Sequence, residues 1–409
     1  MKRILVLGGG ADQIDFIKEL KSIGYYVIII DYNSNPIAKP YADLHIPEST
    51  LDVPTVTNIA KGLEVERVVT ACTDQALLTV AQVSEALNLP TQFSVEEVTN
   101  FTKKAPMKQI MLENNIPTAK FKIIQSSDDS TEGLRYPLIV KPSDCNSSKG
   151  VRKVENQEEF KIYAEEAIKL SRTSTAVVEE FLEGDEVSID AYVTDEGTQI
   201  LMIGLLGKAF LNESTQVIYQ NTVPAQISQK ATENIQKLAS NIAYTFKIKN
   251  SPLLIQAIVT GDEVNVLEFS ARLGGGCKHK SIKEITGIDI IKANTISILG
   301  GNPRIHNKAH HDKVVARIHL YLKPGTLTDI FRIEELQRKG IIKEFVLNKP
   351  KGSVFTTINS STDRLGSVLI EADSIESLNS KKMEFLKIIE IKNEYGENML
   401  ETSIYKKKS

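Results

Sequence analysis

Two short runs of consecutive apolar residues lie near the start of the chain. Ile4–Leu7 and Val27–Ile30 contain no polar side chain, which is typical of strands buried on both faces of a parallel sheet. Between them apolar residues recur at helical spacing, so this region predicts a strand–helix–strand unit. A further strand is predicted at Val68–Ala71, followed by a helix that begins at Thr73. We therefore predict a doubly wound α/β domain over residues 1–102.

The hydrophobic pattern changes after residue 102, where strands and helices no longer alternate regularly. Strands are predicted at Tyr136–Pro142, Val151–Val154, Thr175–Phe181, Ser188–Val193, Ile200–Leu206, Leu253–Val259, Val264–Phe269, Val314–Leu322, Ser353–Thr357 and Val368–Glu371. Tight turns between several of these strands favour a mixed sheet of α+β type. We predict one domain at 103–305, with a lid subdomain at 136–182, and a β-rich C-terminal module at 306–409.

Composition narrows the class of protein. The 409 residues carry a formal net charge of -3, so no overall positive field would hold a nucleic-acid backbone. The three cysteines are far apart and odd in number, which indicates neither a disulfide framework nor a zinc site. No apolar run approaches the ~18 residues of a membrane span. We expect a reduced, cytoplasmic protein that binds neither nucleic acid nor membranes.

Three consecutive glycines, Gly8–Gly10, follow the first predicted strand, and Asp31 ends the second. This arrangement imitates a dinucleotide-binding motif. The third glycine of that motif would lie at position 13, which is Gln13 in this chain, and its loss would prevent close packing of helix and strand. A tight strand-to-helix turn is needed whether or not a ligand binds, so a dehydrogenase is a minor alternative.

Lysines stand at two positions suited to phosphate. Lys104 lies at the start of a predicted helix, and Lys141 ends a predicted buried strand. A lysine at the end of such a strand places a cation at the mouth of a cleft, where it can meet phosphate oxygens. The polar loop Ser143–Gly150 follows, and its small residues would allow backbone N–H groups to converge on an anion.

A predicted β-hairpin carries the strongest chemical pattern. Its turn at Gly261-Asp262 would bring Gln256 and Glu268 side by side, and Ser270, two residues further, would face the same side. These oxygen donors suit Mg²⁺, which completes its octahedral shell with water and phosphate. Arg272 would lie on the same face, and its guanidinium group is shaped for a carboxylate or phosphate.

These segments, in this order, resemble the ATP-grasp superfamily, particularly its carboxylate–amine (amino-acid) ligase branch and the related carbamoyl-phosphate synthetase domains. The resemblance implies an ATP-grasp fold behind the N-terminal domain, with ATP and Mg²⁺ (or Mn²⁺) as cofactors. It implies catalytic roles for Arg272 and Lys141 and a metal site at Gln256, Glu268 and Ser270. The implied nucleotide-binding residues are Lys104, Lys141, Ser147, Ser148, Gly150, Glu179, Glu180, Phe181, Leu182 and Glu186. By the same resemblance, the main chain of Glu180 and Leu182 would meet the adenine edge, Glu179 would approach its exocyclic amine, and Glu186 would accept from the ribose hydroxyls.

The resemblance leads us to expect an ATP-dependent ligase. It would join a small carboxylate, such as an amino acid, to an amine through an acyl phosphate, with release of ADP and phosphate. Such ligases often pair, so a homodimer is also an expectation. Two alternatives remain open: an enzyme that makes carboxyphosphate or carbamoyl phosphate, and a nucleotide-binding protein without activity. Arg317 is a weaker carboxylate-binding candidate, and His310-His311 is interpreted as a loop rather than a metal site.

Overall fold

A computed structural model describes residues 2–145, 150–211, 216–305 and 313–405, with the backbone only at Phe210. The N-terminal elements are β1 (Arg3–Leu7), α1 (Ala11–Ser22), β2 (Tyr26–Ile30), β3 (Leu44–Ile46), α2 (Val53–Gly62), β4 (Arg67–Val69) and α3 (Asp74–Ala86). The four strands form a parallel sheet in the order β3-β2-β1-β4.

This sheet is covered on both faces. Ile4 and Val6 of β1 pack with α1, while Leu5 and Leu7 face a second core formed with α2 and α3. Alternate side chains of a strand point to opposite faces, so an uninterrupted apolar run needs two cores. The doubly wound N-terminal sheet predicted from the sequence is confirmed.

The chain continues through two helices into a second sheet. These elements are α4 (Val95–Thr102), α5 (Lys104–Glu113), β5 (Phe121–Ile124), β6 (Leu138–Pro142), β7 (Arg152–Val154), α6 (Gln157–Leu170) and β8 (Ala176–Glu180). The four strands form an antiparallel sheet in the order β5-β8-β6-β7. Helix α6 covers one face through Phe160, Ala164 and Ala167. This sheet, called the lid sheet below, contains the strands of the predicted lid segment 136–182 and adds β5, which lies before that segment.

The remaining elements form the largest part of the fold. They are β9 (Asp185–Thr194), β10 (Gly197–Phe210), β11 (Gln216–Val223), α7 (Gln229–Thr245), β12 (Ser251–Thr260), β13 (Glu263–Ser270), α8 (Lys278–Thr286), α9 (Ile290–Ile298), β14 (Val314–Leu320), β15 (Gly325–Phe331), α10 (Ile333–Arg338), β16 (Glu344–Leu347), β17 (Val354–Phe355), β18 (Gly366–Ala372), α11 (Ile375–Ile388) and β19 (Glu390–Asn393).

One antiparallel sheet of eight strands joins the middle of the chain to its C-terminal part. Its order is β13-β12-β9-β10-β11-β14-β18-β16. Strand β11 pairs with β14 from Gln220 opposite Ile318 to Val223 opposite Val315, so the sheet is continuous across the predicted boundary at residues 305 and 306. A smaller sheet, in the order β17-β15-β19, lies in the C-terminal part.

The two faces of the eight-stranded sheet differ in chemistry. Val187, Ile189 and Ile255 point into an apolar core that includes residues of α7. The residues between them in sequence, such as Ser188 and Asp190, point to the opposite face. One face is thereby committed to packing. The other also contributes Tyr192 and Val315 to a second apolar core, so only its polar part, called the polar face below, is available for a ligand.

Side-chain caps fix where several helices begin. Ser94 and Glu97 form a capping box at α4, and Asn156 accepts hydrogen bonds from two backbone N–H groups of α6. Ser228 accepts one from the Ala231 N–H at 2.9 Å. Such a cap contributes about 1 kcal/mol to helix stability. Within the described ranges, none of the helices combines the length and apolar character required to cross a bilayer.

Candidate active site

The predicted hairpin partners lie side by side. Gln256 of β12 is in register with Glu268 of β13 and, on its other side, with Ser188 of β9. Ser188 is in turn opposite Gly204 of β10. Residues in direct register share a face of the sheet, so these positions form a row across four strands. The row belongs to the polar face.

One cavity brings together Arg272, Lys104 and the three predicted metal ligands, whereas Lys141 does not line it. Its lining combines residues of α5, β12 and β13 with the first residue of α3 from the N-terminal domain. The polar side chains that line it are Asp74, Thr102, Lys104, Gln256, Glu268, Ser270 and Arg272. Residues far apart in sequence therefore converge on a single space, as the sequence interpretation required.

Lys104 occupies this cavity as the first residue of α5. Its side chain is buried, and Nζ donates to the Cys145 carbonyl oxygen at 2.7 Å. The same Nζ lies 3.5 Å from the Glu268 carboxylate, whose side chain is 40% exposed. Lys104 thus joins the described beginning of the predicted phosphate loop to the predicted metal carboxylate.

A buried ion triad lies at the base of the lid sheet. The Glu179 carboxylate of β8 is held by Lys141 of β6 and by Lys108 of α5, the latter at 2.7 Å. Lys108 also donates to the Thr118 hydroxyl at 2.5 Å. All three charged side chains are at most 8% exposed. Two ammonium groups and one carboxylate leave the triad with one net positive charge.

The structure changes the interpretation of this triad. Glu179 was assigned to the exocyclic amine of adenine, yet the two lysines engage its carboxylate. Lys108 was missed, although it lies four residues after Lys104 and therefore on the same side of a helix. Burial lowers the pKa of Lys108 to about 8 against the opposing effect of Glu179. Burial raises the pKa of Glu179, but the two lysines outweigh it and bring the value to about 2.

The triad predicts a specific response of stability to acid. Because the folded-state pKa of Glu179 lies near 2, below its ordinary value of 4.5, its ionised form stabilises the fold above pH 4.5. That contribution is lost as the pH falls from 4.5 toward 2. Chemical unfolding at pH 6 and pH 3 should show a larger loss of unfolding free energy for the natural chain than for Glu179→Gln. The exposed Glu263→Gln change provides the control, and an equal loss in all three would contradict the prediction.

Arg272 is bound differently from the sequence expectation. Its guanidinium group forms two hydrogen bonds to the Asp74 carboxylate, and Nη1 donates to the Leu273 carbonyl oxygen at 2.5 Å. Burial opposes ionisation of Asp74, but Arg272 outweighs it, so the pKa of Asp74 lies below its usual value. Arg272, the predicted oxyanion-binding group, is therefore held by Asp74 of the N-terminal domain. The sequence indicated Asp74 only as part of a helix start.

The segment assigned to adenine and ribose leaves the lid sheet where expected. The N–H of Glu180 donates to the Lys120 carbonyl oxygen at 2.9 Å, and that of Phe181 donates to Pro137 at 3.0 Å. For Leu182 no backbone hydrogen bond occurs between described residues, so its N–H remains available for a base edge. Glu186, assigned to the ribose, lies 2.5 Å from the ammonium group of Lys208.

The predicted phosphate loop is described only at its ends. Ser147 and Ser148 fall outside the described residues, as do His310 and His311. Gly150 closes the loop with a φ of 72°, and a Cβ there would lie 2.9 Å from Pro142 and 2.8 Å from Leu170. Both the left-handed backbone and the close packing require glycine at this position.

The donor set fits a magnesium ion that shares its coordination with a nucleotide. Glu268 provides one half-exposed carboxylate, and Gln256 provides an amide oxygen beside it. The Ser270 hydroxyl is buried near Asp74 and forms no hydrogen bond of good geometry with a described residue. In the described parts of the chain no three His, Cys, Asp or Glu side chains cluster as metal ligands. Because Glu268 is the one charged ligand in the predicted set, binding of the Mg²⁺ ion would depend on phosphate oxygens of the nucleotide.

The glycine-rich turn of the N-terminal domain serves the fold. Gln13 is buried, and its Nε2 donates to Thr70 at 2.9 Å while its Oε1 accepts from the Ala71 N–H at 3.1 Å. Asp31 accepts from the Gly9 N–H at 2.7 Å. Asp31, which resembled part of a dinucleotide site, and Gln13, which argued against one, thus both form hydrogen bonds within the N-terminal domain.

Comparisons with known proteins place part of the chain near a described family. Residues 134–280 match the model of the ATP-grasp domain. The large chain of carbamoyl phosphate synthase from Clostridium acetobutylicum is 24% identical over 325 residues, which cover 74% of this chain and 29% of that protein. This chain therefore spans less than a third of that relative.

Two solved structures share the fold over nearly the whole chain. The L-amino acid ligase of Bacillus licheniformis has a TM-score of 0.79 and 21% identity and covers 96% of this chain and 99% of its own. The second is the biotin carboxylase domain of the Hydrogenobacter thermophilus 2-oxoglutarate carboxylase, solved as a dimer with MgADP, ADP and bicarbonate. It has a TM-score of 0.79 and 15% identity, and the match covers 98% of this chain and 91% of that domain. Residues 134–280 are therefore similar to an ATP-grasp domain, and the chain as a whole shares the fold of these two structures.

Proposed function

We propose that the protein is an ATP-dependent carboxylate–amine ligase that forms an amide through an acyl phosphate. The carrying observation is the single cavity that combines Lys104, the Gln256–Glu268 pair and Arg272. An ATP-grasp domain supplies the nucleotide-binding context. The L-amino acid ligase with the same fold supports the amino-acid branch of the superfamily.

The nucleotide would lie between the lid sheet and the polar face of the eight-stranded sheet. Lys104 and the net positive charge of the Lys108–Glu179–Lys141 triad attract its phosphates. The Leu182 N–H and the Glu180 carbonyl would face the base, and Glu186 the ribose hydroxyls. Glu268 and Gln256 would hold Mg²⁺ with help from Ser270, and the bound ion would neutralise the charge of the phosphate oxygens.

The chemistry proceeds in two substitutions. A carboxylate oxygen of the acid attacks the γ-phosphorus, and the bond to the bridging oxygen breaks, so that ADP leaves. The amine nitrogen then attacks the acyl carbon, phosphate leaves with the electron pair of the broken carbon–oxygen bond, and the nitrogen gives up one proton to that phosphate or to water. The protein contributes alignment and charge neutralisation. Arg272, oriented by Asp74, would steady the acid or the transferred phosphoryl group.

A second candidate is supported by two relatives. Carbamoyl phosphate synthase is similar in sequence, and the biotin carboxylase domain that shares the fold binds bicarbonate. The same cavity could thus activate bicarbonate as carboxyphosphate. Bicarbonate is a small oxyanion, so Arg272 and Lys104 would suit it as well as an amino-acid carboxylate.

A substrate screen separates these proposals. For a ligase, phosphate and ADP release should require both a carboxylate and an amine, and the product should gain an amide mass. ADP release with bicarbonate alone would favour the second candidate. Binding of ATP by calorimetry, without ADP formation from any pair of amino acids or other carboxylates, would instead indicate a nucleotide-binding protein without activity.

A further inference from the structure

The polar face of the eight-stranded sheet extends beyond the nucleotide cavity toward the C-terminal strands. Asn221 of β11 is in register with Arg317 of β14, and His319 follows two residues later on the same face. Arg364 stands just before β18, the next strand of the sheet. None of these four residues lines the cavity that holds Glu268 and Arg272.

Arg364 differs from the other cations on this face. Arg317 is held by Glu344 at 3.1 Å, and Lys278 by Asp190 at 3.2 Å. Arg364 is half-buried, yet among the described residues it forms neither a hydrogen bond nor an ion pair. A guanidinium group with five donors is rarely left in this state without an external acceptor.

Arg364 lies beside His319 and the backbone of Gly276. Gly276 has a φ of 77°, and a Cβ there would lie 3.3 Å from Nη1 of Arg364 and 3.0 Å from Cε1 of His319, closer than side chains normally approach. Arg364, His319 and the backbone of Gly276 therefore form one corner, which glycine keeps free of a side chain.

The charged groups that act on His319 are cations. His319 is buried, and burial together with Arg364, Arg317 and Lys278 lowers its pKa well below the ordinary value, so its ring is neutral near pH 7. Its Nδ1 has no hydrogen-bond partner among described residues. The corner also holds the Asp12 carboxylate, which accepts from the Gly276 and Cys277 N–H groups at 3.1 and 2.5 Å. Burial raises the pKa of Asp12, but Arg364, His279 and these hydrogen bonds outweigh it and hold the pKa below its usual value. Arg364 thus acts on Asp12 through its charge but makes no hydrogen bond to it.

We propose that Arg364 and His319 bind a second, non-reacting carboxylate of the substrates. This inference rests on the proposed ligase function in one respect: that function makes the bound ligand a substrate. The reacting carboxylate would lie in the cavity of Glu268 and Arg272, which Arg364 does not line. The carboxylate at Arg364 is therefore a different one, carried either by an amino acid that acts as the amine or by a dicarboxylic acid that is activated at its other end.

Ligand binding can be measured without turnover. Saturation-transfer NMR on the full chain with MgADP would use the common L-amino acids, succinate and glutarate as probes, and the amides of those that bind. We expect a free acid to bind the natural protein, and its amide at least about tenfold more weakly, as for the loss of a charged hydrogen bond. Binding of an amino acid would show that the non-reacting carboxylate belongs to the amine substrate. Binding of a diacid would show that it belongs to the acid that is activated.

Variants test the residue itself. Arg364→Ala should weaken binding of the same probe by about tenfold or more. Arg364→Lys should weaken it less, since lysine keeps the positive charge but lacks the two-pronged guanidinium donors. Arg338→Ala, at an exposed position of α10, is the control, and thermal melting verifies folding. The proposal is overturned if Arg364→Ala binds as the natural chain does, if acid and amide bind equally, or if no probe binds. The separate ADP assay reports on the ligase function, so the two failures are distinguishable.

Discussion

Glu268→Gln should lower ADP formation by about 100-fold or more while the protein stays folded. The side chain keeps its size but loses the one carboxylate in the predicted metal set, and the neighbouring Lys104 loses its counter-charge at 3.5 Å. Removal of a group that stabilises transition-state charge typically costs a factor of about 10²–10³. The measurement is ADP release at saturating ATP and Mg²⁺, with the substrate pair found by the screen.

The matched control for this experiment is Glu263→Gln at the exposed start of the same strand. It should retain full activity and the same melting temperature. If Glu268→Gln were equally active, the assignment of the metal site would be wrong. If it were inactive but unfolded, the more conservative Glu268→Asp would decide, because it keeps the charge and shifts only its position.

Glu179→Ala should destabilise the protein by about 3–5 kcal/mol, the usual cost of leaving buried charges uncompensated. Lys108 and Lys141 would face each other across a site from which water is excluded, since both side chains are at most 8% exposed. Unfolding in urea, followed by circular dichroism, measures the change in the free energy of unfolding.

An exposed ion pair calibrates this result. Lys161 and Asp128 lie 3.1 Å apart with side chains 55% and 80% exposed, and such pairs contribute about 0–1 kcal/mol. Asp128→Ala should therefore change stability little. A comparably small effect of Glu179→Ala would show that the triad is not the buried network described above.

Local patterns were sufficient for much of the fold. The apolar run of Ile4–Leu7 predicted a strand with a core on each side, and the structure provides both. The turn at Gly261-Asp262 predicted the register of Gln256 with Glu268, because a tight hairpin fixes which residues are opposite. Both predictions rest on residues that are neighbours in the chain or in one hairpin.

Contacts between distant segments could not be predicted in this way. Asp74 and Arg272 are 198 residues apart, and nothing near either residue indicates the other. Strand β11 was missed because Gln216, Gln220, Asn221 and Thr222 interrupt its apolar residues and leave no continuous apolar run. Nothing in the sequence pointed to Arg364, because only the folded chain places it beside His319 and Gly276.

The pairing of β11 with β14 limits how the chain can be divided. A fragment that ends near residue 305 would expose the backbone edge of β11, whose partner strand would be missing. Unprotected edges of this kind invite association with other chains. The nucleotide-binding part is consequently not a transferable module, and any truncated version for biochemistry or crystallisation has to retain the C-terminal strands that complete its sheet.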